Sequence, residues 1–428
     1  MSEKENKEKD KWSGFYQLSI KERLKKVQEF ANLTEEEIKI LSSSGPLDVE
    51  KADKISENVI GTIGLPFSVA PHFIINSREV LVPMAIEEPS VVAAASYGAK
   101  LASKTGGFKT SYSGSIMIGQ IQLSEVNDIE KKLDLILKNK VSILQEARKY
   151  ALSIEKYGGG VKDCYPKIVN TARGKMLVVE FLIDVIDAMG ANTINTILEN
   201  IAPFLQDLVG GKIRLRILSN LCLYRVASAT AVWKASDCGG EEGIEAILDC
   251  WALAMSDPFR RATHNKGVMN GVDAVLLACG QDWRAVEASA HTYSALKNGA
   301  LTNFNKNQDG DLEGRILLPL AVGVVGGTLA LNKTAQISLK ILGVQNAGEL
   351  AQVLSAVGLA QNFAALRALA LEGIQKGHMK LHARHLAVSV GVPPEYVNKV
   401  VEWMVSNSKI SLEGAAEGFK LLKEEKIK

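Results

Sequence analysis

The chain has 428 residues, 46% hydrophobic and 23% charged, a balance that excludes a largely disordered chain and exceeds what one hydrophobic core usually holds. Its 50 basic and 48 acidic side chains leave a formal charge of +2, so no broad nucleic-acid-binding surface is implied. Five cysteines (Cys164, Cys222, Cys238, Cys250 and Cys279), odd in number and without CxxC spacing, read as reduced, mostly buried thiols of an intracellular protein.

Residues 2–11 alternate charges with Asn, carry no hydrophobic signal and are expected to form a disordered tail. Apolar spacing predicts helices over 19–31 and 34–43, the second opened by a Thr34/Glu37 capping box. Residues 59–66 and 73–83 read as extended, separated by a loop around Pro71-His72. Pro89 is expected in the first turn of an alanine-rich helix, leaving Glu88 near its positive end with Glu87 beside it.

Beyond Thr105-Gly106-Gly107, a strand at 115–123, an amphipathic helix over 127–155, a triple-glycine turn and a strand at 176–185 suggest an inserted α+β unit. That strand feeds the turn Asp187-Ala188-Met189-Gly190-Ala191-Asn192 and a helix marked by Ile194, Ile197, Leu198 and Ile201. A glycine turn opening a helix offers backbone N–H groups to a phosphate, although the dinucleotide glycine fingerprint is absent and a plain strand-turn-helix reads the same way.

Residues 227–233 and 243–255 show helical patterns. The segment 260–271 concentrates Arg260, Arg261, His264, Asn265, Lys266 and Asn270 between apolar runs, with Gly267 and Gly271 permitting a tight turn or a close approach to a ligand; it suits an anionic substrate or is a polar loop. Lys266 beside a carboxylate such as Asp282 would be an electrostatic catalyst or a structural ion pair. The apolar stretch 316–331 holds Pro319 and glycines, falls short of a membrane span and reads as core, with 323–328 a buried turn or close helix approach that is also a candidate for touching substrate. Alanine- and leucine-rich helices follow over 345–372, broken at Gly358. His378, His382 and His385 share a helical face, but the neighbouring Lys380 and Arg384 and the lack of an intervening glutamate argue against a metal; His378, next to Gly377, is better placed for acid chemistry.

The segments Glu88-Pro89-Ser90, 187–193, 260–271, 282–287 and Gly377-His378-Met379 occur in an order that resembles the soluble prokaryotic class of hydroxymethylglutaryl-coenzyme A reductases, from about residue 57 onward. The resemblance implies an α+β fold: a large mixed domain (1–109 and 218–376) for substrate binding and dimerisation, interrupted by a small ferredoxin-like nicotinamide-binding domain (110–217), and a mobile helical C-terminal flap (377–428). It implies Glu88, Lys266, Asp282 and His378 as catalytic residues, Asp282 orienting Lys266. Ser90, Arg260 and Asn270 would bind substrate, with Arg260 on its free carboxylate, and Asp187, Met189, Gly190, Ala191 and Asn192 would bind cofactor, with no metal.

The implied reaction is the four-electron interconversion of 3-hydroxy-3-methylglutaryl-coenzyme A with mevalonate and coenzyme A, through mevaldehyde. NADH or NADPH would serve; Arg148, Lys149 and Lys156 either favour an extra phosphate or solvate a helix. The expected protein is a cytoplasmic homodimer or assembly of dimers, with sites shared between subunits and neither nucleic acid nor membrane as partner. The alternative is an acyl-coenzyme A hydrolase or lyase.

Overall fold

The computed structural model describes residues 12–42, 47, 49–371 and 374–424, the side chains of 328 and 374–381 excepted. The amino-terminal tail and Gly373 lie outside the described residues.

Two helices, α1 (Ile20–Ala31) and α2 (Glu35–Leu41), each open with a complete capping box, Ser19 with Glu22 and Thr34 with Glu37. After the short α3 (Val49–Ala52), residues 59–66 do not form the expected strand. Gly61, Gly64 and Pro66 punctuate them, and Ile60 and Ile63 stand exposed. Strand β1 (Phe67–Ile75) continues through Pro71-His72 as a bulge, His72 at φ 75°, and turns at Asn76 and Ser77 into β2 (Arg78–Ala85). Both turn residues are left-handed, as a two-residue hairpin of this hand requires.

The large core then gathers α4 (Val91–Ser103) and β3 (Lys109–Tyr112). The chain next builds a second sheet. It runs β4 (Ile116–Ser124), α5 (Ile129–Lys138), α6 (Lys140–Arg148), α7 (Leu152–Glu155), β5 (Gly160–Thr171), β6 (Gly174–Asp184), α8 (Ala191–Val209) and β7 (Lys212–Ser219). The single helix expected over 127–155 is three, interrupted at Asn139 and Ala151, whose backbone leaves helical geometry. The four strands are antiparallel in the order β5-β6-β4-β7 and share a core that includes Met117, Ile121, Phe181, Ile197 and Leu205.

Residues 227–233, read as helical, are instead strand β8 (Val226–Trp233). Ala227, Ala229, Ala231 and Trp233 alternate inward with period two, and pairing on both sides overrides alanine's helical preference. Then come α9 (Gly240–Ser256), α10 (Pro258–Ala278), α11 (Trp283–Lys297), β9 (Thr302–Lys306) and β10 (Leu312–Pro319), completing a sheet ordered β3-β8-β10-β9.

Helix α12 (Lys333–Leu342) precedes α13 (Ala347–Leu371), which runs unbroken through Gly358. A Cβ there would lie 3.0 Å from Val272, so this glycine serves close helix packing rather than a break. The ring of Phe363 on α13 stacks on Trp233 with centroids 4.0 Å apart. α13 is long and apolar enough to span a membrane, but 72% of its most apolar window is buried in the protein, as in a core helix. Helices α14 (Ile374–Ser389), α15 (Pro394–Ser406) and α16 (Leu412–Lys423) close on a small core of their own around Ala383, Val400, Met404 and Ala415.

Candidate active site

The segment 260–271 is neither loop nor turn: it lies wholly within α10. Asp257 caps that helix, accepting the Arg260 N–H at 2.7 Å, and Pro258 occupies its first turn. Val268, Met269, Val272 and Val275 bury one side in the large core, while Arg260, Thr263, Lys266, Gly267 and Asn270 recur at helical spacing along a cleft. At Gly267 the helix is regular and open space surrounds the absent side chain.

The start of α4 forms the opposite wall. Ser90, at φ 73°, is the cap residue, so Pro89 precedes the helix instead of occupying its first turn. Glu88 reaches across to Lys266, with Oε2 2.8 Å from Nζ; the side chains are 37% and 59% exposed and open to a ligand. Glu88, not Glu87, lines the cleft, whose volume is about 720 Å³. Ser90, Arg260 and Asn270 line it with them.

Two further residues line the wall: His264, which the sequence offers within the polar segment but without a role of its own, and Gln361, which it does not single out. His264 is buried, its Nε2 2.6 Å from the Thr302 hydroxyl. Burial, then the charge of Arg260, pushes its pKa down to about 3, so the ring is neutral near pH 7. Gln361 on α13 is 5% exposed and its Oε1 has no hydrogen-bond partner among the described residues. A buried glutamine on an apolar helix was the available signal, masked by the alanines around it.

Asp282 is not beside Lys266 within this chain. Along α10 alone Lys266 and Ala278 are about 18 Å apart, at 1.5 Å per residue. The Asp282 carboxylate caps α11, accepting from Ala285 N at 3.1 Å, with Arg284 Nε 3.6 Å away. It lines a second cleft of about 430 Å³ with Met189, Gly190, Ala191, Asn192, Gly323 and Arg284, among others.

In that cleft Gly190, at φ 101°, is the cap residue of α8 and supplies no side-chain cap, leaving the first N–H groups of the helix open to an anion. A Cβ on Gly190 would lie 2.5 Å from Val185. Asp187 is engaged otherwise: its Oδ1 accepts from Ala347 N at 2.9 Å, at the start of α13. Gly323 packs against the Ala188–Met189 backbone, as expected of a buried turn, whereas 325–327 are exposed and line the cleft. Arg148 bonds the Val161 carbonyl, Lys149 pairs with Glu146, and Lys156 lies over the Tyr157 ring. His378 falls on α14, but its side chain lies outside the described residues; His382 and His385 are exposed.

An α+β chain with a lysine–carboxylate pair in one cleft and a bare helix N-terminus in another can polarise a carbonyl and hold a phosphate, and the proteins it is similar to are oxidoreductases. The sequence model described as hydroxymethylglutaryl-coenzyme A reductase matches residues 19–383. The chain is 52% identical over 406 residues to the 3-hydroxy-3-methylglutaryl-coenzyme A reductase of Archaeoglobus fulgidus, covering 94% of this chain and 93% of that one. It is 35% identical to the probable enzyme of Borreliella burgdorferi, covering 77% of each.

Among solved structures, the reductase of Streptococcus pneumoniae superposes with a TM-score of 0.82 at 38% identity, covering 96% of this chain and 99% of that one. The class II enzyme of that organism bound to NADPH in open conformations superposes at 0.80, covering 84% and 99%. The chain belongs to the hydroxymethylglutaryl-coenzyme A reductase family. The hydrolase or lyase alternative has no support among these matches.

Proposed function

We propose that the cleft between α4 and α10 reduces the thioester of 3-hydroxy-3-methylglutaryl-coenzyme A to the alcohol of mevalonate. The observation that carries this reading is the 2.8 Å Lys266–Glu88 pair in one cleft with Arg260, Ser90 and Asn270. Arg260 and Lys266 are six residues apart on one helix, about 9 Å along its axis, which leaves room for a five-carbon diacyl unit between them. Arg260 clamps the free carboxylate with two directed bonds, and Ser90 and Asn270 hold the polar groups between. Lys266 stabilises the negative charge that grows on the thioester oxygen, and Glu88 supplies the proton to the aldehyde oxygen in the second reduction.

His378 protonates the departing thiolate; reference values of about 6.5 for imidazole and 8.5 for a thiol set that transfer in the useful direction. Reduced nicotinamide supplies the hydride, twice, because thioester to alcohol takes four electrons. The Met189–Asn192 turn and the bare N-terminus of α8 suit its phosphates, a reading supported by the Gly190 conformation and by the NADPH bound to the similar pneumococcal enzyme. The order strand-helix-strand-strand-helix-strand supports a ferredoxin-like nucleotide unit. Either NADH or NADPH is accommodated, since Arg148, Lys149 and Lys156 are held by local contacts.

Asp282 reaches Lys266 from a second copy of the chain, completing a dimer whose two sites each draw on both subunits. Residues 377–428 close over the bound substrate and carry His378. Five unpaired thiols suit a reducing cytoplasm. The test is stoichiometric: the purified protein should consume two reduced nicotinamides per mevalonate formed, and turnover of one equivalent ending at a stable aldehyde overturns the reading.

A further inference from the structure

Arg225, in the loop between β7 and β8, is fully buried and lines neither cleft. Its guanidinium donates to four uncharged oxygens. Nε donates to the Tyr112 hydroxyl at 2.7 Å; one terminal nitrogen to the carbonyls of Ala188 at 3.0 Å and Met189 at 3.3 Å; the other to the Val322 carbonyl. A guanidinium keeps its charge, so taking it out of water is costly unless its donors are met. Here each of the three nitrogens is met, by acceptors on three segments far apart in sequence: β3, the turn ahead of α8, and the segment leaving β10.

The same turn is held from another side by an uncharged contact. Val324 N–H donates to Asp187 O at 2.9 Å, and the adjoining Gly323 is itself tied by its N–H to Gln281 Oε1 at 2.9 Å, next to Asp282. The carbonyl of a trans peptide and the N–H that follows it point in opposite directions. A cation that holds the Met189 oxygen therefore turns the Gly190 N–H away from the buried side, at the residue that opens α8. It also polarises that peptide, strengthening the N–H as a donor to an anion.

We infer that Arg225 is a positioning residue for the nicotinamide dinucleotide, acting from behind the turn by fixing the Ala188 and Met189 carbonyls inward. The inference rests on the proposed phosphate site at the N-terminus of α8. Burial pushes the Tyr112 phenol above its usual range, with the Arg225 charge opposing, so Tyr112 stays a neutral partner of the cation.

The experiment uses full-length R225K, Y112F and G190A, with KM measured separately for NAD(P)H and for hydroxymethylglutaryl-coenzyme A, and NADP+ affinity measured by titration. A lysine keeps the charge but cannot span four acceptors, so R225K should raise the nicotinamide KM about tenfold while the acyl-substrate KM moves by less than about twofold. Y112F, which removes one acceptor and leaves the cation, should shift the same constant in the same direction by less, and it serves if R225K fails to fold. A strut without a positioning role would move both constants together or neither, and either result overturns the inference. If G190A, which disturbs the backbone of the turn itself, weakens NADP+ binding but R225K and Y112F do not, the phosphate site stands and the role of Arg225 falls. If G190A binds NADP+ as the unsubstituted protein does, the site itself is wrong and the inference falls with it.

Discussion

Lys266 Nζ and Glu88 Oε2 stand 2.8 Å apart across the cleft between α10 and the start of α4, 178 residues apart in the chain. An exposed pair of this kind contributes only about 0–1 kcal/mol to stability, so its interest is chemical. K266A should melt within a few degrees of the unsubstituted protein yet lose about a hundredfold or more in kcat, the scale on which removing a transition-state charge stabiliser is felt. Circular dichroism melting with steady-state kinetics checks both halves. Full activity in folded K266A removes the lysine from the mechanism.

In the proposed reaction Arg260, which lines the same cleft, is the second point of contact with substrate. R260K keeps the charge and loses the planar fork, so the KM for the acyl substrate should rise about tenfold or more while that for NAD(P)H stays unchanged. Initial-rate measurements with each substrate varied in turn decide it.

A third expectation concerns pH. Asp273 on α10 is partly buried, its Oδ1 unpartnered among the described residues, with the Glu287 carboxylate of α11 as its charged neighbour. Burial, then Glu287, pushes its pKa up to about 8. A raised carboxyl binds its proton more tightly when folded. Its stabilising contribution is therefore complete below the ordinary carboxylate value of 3.8 and is lost as pH rises towards and through about 8. Glu287, held below its usual value by His291 and Asp273, acts oppositely: its contribution is present above 4.5 and lost as pH falls through its folded value. His291, raised by Glu287 2.6 Å away, loses its contribution as pH rises through its folded value above 6.5. Melting temperature should thus fall from pH 6 to 9, and D273N, which mimics the protonated acid, should flatten that fall. An unchanged slope in D273N removes Asp273 as its source.

Gly190 gives a fourth test. At φ 101°, with a Cβ position 2.5 Å from Val185, G190A carries both backbone strain and a clash, costing about 1–3 kcal/mol. Denaturant unfolding should show that loss, with nicotinamide binding weakened more than acyl-substrate binding.

Much of this architecture was legible where one local signal dominates. The Thr34/Glu37 box marks a helix start by its own hydrogen bonds, and the buried stripe of Ile194, Ile197, Leu198 and Ile201 reads directly as α8. Reading failed where tertiary partners decide. The alanines of β8 favour a helix until strands pair on both sides, and α10 looks like a loop because its cleft-facing stripe carries the charges, amides and Gly267 that serve the site. Arg225 announces itself by no spacing at all, since its partners come from three distant segments. Lys266 and Asp282 look like neighbours in sequence, but the rigid length of α10 keeps them apart in one chain.

That separation makes the shared site the claim most exposed to test. K266A and D282A proteins, each inactive alone, should be unfolded together, refolded as a mixture and assayed. If Asp282 serves the lysine of the second copy, every mixed dimer carries one intact site, and random pairing should restore about a quarter of the unsubstituted activity. If both residues must come from the same chain, the mixture will be as inactive as its components, and the account of a site built between two copies is contradicted.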